Sequence, residues 1–120
     1  MRSIAALQTP EFLDQASVLR IHERQIRKYG GTPGVRDDGL LESALAQPQA
    51  TFGGTLLHLT IYEQAAAYLY HLAMNHPFLD GNKRTAFAVM DALLRLNGYQ
   101  LNLSNDQVYQ LVLDRHINWC

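Results

Sequence analysis

The sequence predicts an all-helical fold, and three observations carry that prediction. Apolar residues recur at helical spacing, start and stop signals bracket those runs, and strand signals are poor. A chain of 120 residues, 48% apolar and 18% charged, suits one packed domain, taken here as 1–120.

The first helix is expected over 10–29. Thr9 precedes Pro10 as an N-cap before a proline at the first helical position, and Gly30 is a natural stop. Within it Phe12, Leu13, Ala16, Leu19, Ile26 and Tyr29 recur at spacings that make one apolar stripe. The glycine-rich run 30–39 is a loop, and Asp37 or Asp38 can cap a short helix over 39–46 that ends before Pro48. A second loop is expected at 47–55. Thr60 and Glu63 have the form of a capping box, opening a helix to about Asn75 with an alanine-rich middle suited to close approach. After HPFLDG, another helix runs from about Asn82 to Leu96 and stops at Asn97-Gly98. Ser104 and Gln107 form a second capping box, opening a helix to about Asp114. Tyr99 to Leu103 alternates briefly, with no obvious partner strand.

Net charge is −1 and the ten Lys and Arg are scattered, which argues against a nucleic-acid surface. The single cysteine, Cys120, allows no internal disulfide, so a reducing compartment is expected. The first twelve residues are too short and too weakly apolar for a secretory leader. No run approaches the ~18 apolar residues of a membrane span, so the chain is expected to be soluble and cytoplasmic.

Chemistry concentrates in His76-Pro-Phe-Leu-Asp80-Gly-Asn82-Lys83-Arg84, across a loop that opens a helix. A helix N-terminus offers unpaired N–H groups and a positive dipole end, which seat phosphate. Gly81 lets backbone approach an anion closely, and Arg84 can reach phosphate oxygens in fork geometry. Lys83 and Arg84 oppose the helix dipole where they stand, which favours an anion beside them. Asp80 is a hard oxygen ligand of the kind Mg²⁺ prefers, although a carboxylate there serves equally as a cap. Asn82 can orient a phosphate or the loop itself. His76 can take a proton from an attacking hydroxyl. Phe78 reads as a wedge that anchors the loop in the core. Arg36 and Asp37 read as loop braces, and His22 and His116 as surface residues. Zinc is not expected, because the histidines lack a clean ligand spacing and no cysteine is near.

These residues fill the pattern H-x-F-x-[D/E]-G-N-x-R, with His76, Phe78, Asp80, Gly81, Asn82 and Arg84 at its fixed positions, and the chain resembles the Fic family. Lys83 replaces the usual glycine of AMP-transferring members, and Phe87 replaces their second phosphate-binding arginine. With the stretches 29–48 and 75–99, this makes the chain similar to the Doc (death-on-curing) branch over about 29–113. The resemblance implies a Fic-fold helical bundle, with the motif loop between two core helices. It also implies a toxin of a toxin–antitoxin pair that transfers the terminal phosphate of ATP, with Mg²⁺, to a threonine of the translation factor EF-Tu. His76 would be the base, Asp80 the metal ligand, and Gly81, Asn82, Lys83 and Arg84 the phosphate seat. An AMP transferase of the same fold is the first alternative, and a non-catalytic Fic-fold binding module the second. No Ser or Thr has a Glu four residues on, so the self-inhibiting [S/T]-x-x-x-E-[G/N] helix of many Fic enzymes is missing. The resemblance assigns control to a separate small antitoxin, often Phd-like.

Overall fold

Local caps decide where most helices begin, and distant partners decide the one that begins elsewhere. The computed structural model describes residues 11–58 and 60–100. Among them lie α1 (Gln15–Tyr29), α2 (Asp38–Ala46), a 3₁₀ turn at Gln47–Gln49, the strands β1 (Thr51–Phe52) and β2 (Thr55–Leu56), α3 (Ile61–Asn75) and α4 (Asn82–Leu96). The expected Thr9-Pro10 cap, the helix over 104–114, Leu101 to Leu103 of the short alternation, and His116 fall outside the described residues.

The first helix begins five residues later than its sequence suggests. Asn97, at the end of α4, holds Glu11 on both sides, accepting from its N–H and donating to its carbonyl, each at 3.0 Å. The Tyr68 hydroxyl takes the Leu13 N–H at 3.1 Å. With that stretch engaged by tertiary partners, Asp14 becomes the cap, accepting from Ser17 N–H at 2.8 Å. The buried face of α1 is Val18, Ile21, His22 and Ile26, while Ala16 is exposed. The stripe is therefore turned from the one expected.

Asp37 caps α2 through the Leu40 N–H at 2.9 Å. Thr60 caps α3 through the Glu63 N–H at 3.1 Å, and its hydroxyl meets the Glu63 carboxylate at 3.3 Å. The end of α4 pairs Tyr99 N–H with Leu94 O and Gly98 N–H with Arg95 O, closing its last turn in a Schellman motif.

The expected second loop is corrected by a small hairpin. Thr51 and Phe52 pair antiparallel with Leu56 and Thr55, around Gly53-Gly54 with φ of 61° and 84°. Two consecutive positive φ values match the twist of a tight hairpin. Two-residue strands give too little alternation to be seen in sequence.

The helices share one core built from Val18, Leu41, Tyr68, Leu72, Phe78 and Leu93, with smaller residues between them. The α3–α4 packing is the most extensive. Ala65, Ala67 and Ala73 on α3 and Ala86 on α4 are buried, and their small size lets the two backbones come close. This pair carries the site, because the six-residue loop 76–81 joins the end of α3 to the start of α4. Among the described residues no helix is long and apolar enough to cross a membrane.

Candidate functional site

The loop 76–81 is short, and most of its backbone is bonded to other parts of the chain. His76 closes α3 with φ 49° and ψ 55°, and among the described residues it is the only non-glycine with positive φ. Such a conformation costs on the order of 1 kcal/mol and persists only when neighbours over-determine it. Arg36 supplies that support: its Nε donates to His76 O at 2.7 Å and its Nη2 to Asn75 O at 3.0 Å. A cation on the last carbonyls of a helix also complements its dipole. The imidazole of His76 is left at the surface.

The segment 30–37 runs beside the loop as a strap. Pro77 O accepts from the N–H groups of Arg36 and Asp37, at 2.7 and 3.1 Å. Val35 and Phe78 form an antiparallel bridge, and Leu79 N–H donates to Gly34 O at 3.0 Å. The strap approaches closely: a Cβ on Gly31 would lie 2.7 Å from Asp80 Oδ2, and φ there is 119°, so glycine alone fits. Both expected braces, Arg36 and Asp37, hold this strap or the helix after it.

Phe78 is 1% exposed, and so is the wedge the sequence suggested. The Asn82 side chain closes on its backbone from the other side, accepting from Phe78 N–H at 2.8 Å and donating to Phe78 O at 3.0 Å. Its amide therefore orients the loop.

Asp80 faces solvent. Its Oδ2 accepts from Thr32 N–H at 3.2 Å and its Oδ1 from Gly81 N–H at 2.9 Å. These bonds, Thr32 first, hold its carboxyl below the ordinary carboxylate value, so it is ionised at neutral pH. Asp80 does not cap α4. Gly81 does, with φ 73°, and without a side chain it leaves the first N–H groups of the helix to other partners. No acidic residue lies in that first turn, whereas Lys83 and Arg84 do. Arg84 bonds Gly30 O at 3.0 Å and stands 5.8 Å from the Tyr29 ring centre.

His22 corrects the sequence reading. The sequence suggests a surface residue, but it is 2% exposed, and its ring stacks on Phe78 at 3.9 Å and 7°. Its Nε2 lies 2.8 Å from Asp80 O, and a carbonyl only accepts, so Nε2 carries the proton. Burial is the main cause that lowers its pKa. The signal was present: Val18, His22 and Ile26 stand four apart on one helix face.

The loop and the first turn of α4 thus bring together all six expected residues: His76, Asp80, Gly81, Asn82, Lys83 and Arg84. Among the described residues no three His, Cys, Asp or Glu group as a metal cage. One ionised carboxylate beside a glycine-capped helix N-terminus suits a cation that arrives with phosphate oxygens and keeps its waters, which is the habit of Mg²⁺.

Comparison with known proteins finds relatives for most of the chain. A family profile described as "Fic/DOC family" matches residues 12–94. The protein named Toxin Doc of Mycolicibacterium smegmatis (strain ATCC 700084 / mc(2)155) is 45% identical over 91 residues, covering 76% of this chain and 68% of that one. The Protein kinase doc of Escherichia phage P1 is 36% identical over 84 residues, covering 70% and 66%.

Proposed function

The chain belongs to the Fic/DOC family, and from that premise we propose that it is a Doc-type toxin kinase. It transfers the terminal phosphoryl group of ATP to a hydroxyl of a protein, a threonine of EF-Tu, and so stops translation in the cytoplasm. One observation supports this reading most: a solvent-facing histidine, an ionised aspartate and a helix N-terminus capped by a glycine with no side chain share one braced loop.

The roles follow from the chemistry of each group. Asp80 would hold Mg²⁺, which when bound neutralises charge on the phosphates it bridges. The backbone N–H groups of Asn82, Lys83 and Arg84, with the two cationic side chains, receive phosphate oxygens. Gly81 keeps the approach open. His76 accepts the proton of the attacking hydroxyl, whose oxygen bonds the terminal phosphorus as the bond to ADP breaks and ADP leaves with its electron pair. Phe87 is buried in the core, so position 87 offers no second cation to the phosphates. That supports a nucleotide seated with its terminal phosphate, and not its α-phosphate, toward His76. Control by a separate antitoxin, Phd-like or otherwise, fits a chain without the self-inhibiting motif.

The test is product analysis with purified chain, Mg²⁺ and EF-Tu. Label is expected to move from γ-labelled ATP to EF-Tu, and to stop moving when His76→Ala replaces the parent. Label moving from the α position would make the chain an AMP transferase. A parent without affinity for ATP would remove the enzymatic reading altogether.

A further inference from the structure

Within the phosphate-seat reading proposed above, we infer that His22 is a positioning residue, a lock that keeps the Asp80–Gly81 peptide turned with its N–H toward the site. The argument begins with the peptide itself. It is planar and trans, so its C=O and N–H point in opposite directions and turn together. Its C=O faces the interior and bonds His22 Nε2 at 2.8 Å; its N–H faces outward and bonds the Asp80 carboxylate at 2.9 Å.

Glycine at 81 removes the steric barrier to turning that peptide over, because without a Cβ it takes either sign of φ readily. The turned form would bring a carbonyl oxygen, with its partial negative charge, to the side where an anion is to sit. It would also release Asp80 Oδ1 from its N–H. Something must select one form, and the structure shows what does. His22 reaches the carbonyl from α1, a different helix from the two that the loop joins. Its ring is fixed by stacking on Phe78, at 3.9 Å and 7°, so the donor cannot follow the carbonyl outward. At 2% exposure, no water stands in readily for the lost bond. Such partners behind a ligand-holding group carry much of its affinity, although they never touch the ligand.

Two variants separate the bond from the packing. His22→Phe keeps a stacked ring and removes the donor; His22→Gln keeps a donor at the Nε2 distance and removes the ring. Calorimetry of the whole chain with Mg·ATP is expected to show affinity reduced roughly tenfold or more in His22→Phe and largely restored in His22→Gln. The Gly81 and Thr32 amide resonances should move in His22→Phe and stay near their parental positions in His22→Gln. Parental affinity and unmoved amides in His22→Phe would overturn the lock, as would equal losses in both variants. If the parent binds no Mg·ATP, the phosphate-seat reading fails, and the amide resonances alone decide whether His22 holds the peptide. Nitrogen-15 spectra of the parent imidazole need no variant at all: a proton on Nε2 is expected, and a proton on Nδ1 alone would contradict the lock.

Discussion

Two six-residue segments of this molecule, 76–81 and 51–56, are held in opposite ways. The loop 76–81 is bonded by Arg36, the strap 30–37, Asn82 and His22, so that elements from three separate parts of the chain fix it. Among the described residues, the hairpin 51–56 is held by its own two strands and by the bond from Leu57 N–H to Ala50 O, and its Phe52 is 81% exposed. The first arrangement over-determines a backbone that includes a left-handed histidine. The second sets a shape locally and leaves its apolar tip in water. Rigidity here follows the number of distant partners, and it is concentrated in the loop proposed to hold the reacting groups, where fractions of an ångström would count.

The largest effect that would break this contrast comes from Phe78. Phe78→Ala should cost about 3–5 kcal/mol, measured by chemical denaturation, since it empties a core site and removes the face on which His22 stacks. A loss under about 1 kcal/mol would mean the loop is fixed by hydrogen bonds alone. At the other connection, Phe52→Ala should change stability by no more than about 0.5 kcal/mol in the same assay, because that ring buries little. A large loss there would show the hairpin to be packed as firmly as the loop. The smallest effect is acid sensitivity at the start of α1. Asp14 is held below the ordinary value of 3.8, chiefly by Ser17. A depressed carboxylate stabilises above its unfolded pKa and loses that contribution as pH falls through the folded one. The Ser17 amide resonance should therefore titrate below about pH 4. Residues 51–56, which carry no ionisable side chain, should not respond over that range.

The same contrast explains what could be read from sequence. Asp37, Thr60 and Gly98 act within a turn of themselves, so three helix ends were visible in the residues alone. The candidate residues of the loop were visible as well, because His76 to Arg84 are contiguous. What supports the loop was not. Asn97 reaches back to Glu11 across 86 positions and shifts the start of α1, which no local pattern records. Residue type suggests a surface place for His22, whereas its spacing from Val18 and Ile26 puts it on the buried face. The sequence alone does not decide between cap and ligand for the Asp80 carboxylate, and only the Thr32 and Gly81 bonds show that it does not cap α4.

The left-handed turn at His76 has a consequence for descent. An asparagine or glycine would sit there with less steric objection than an imidazole does. If His76 is the proton acceptor proposed above, lineages released from that role should drift toward those two residues, and they would arrive at sturdier, inert versions of the same bundle.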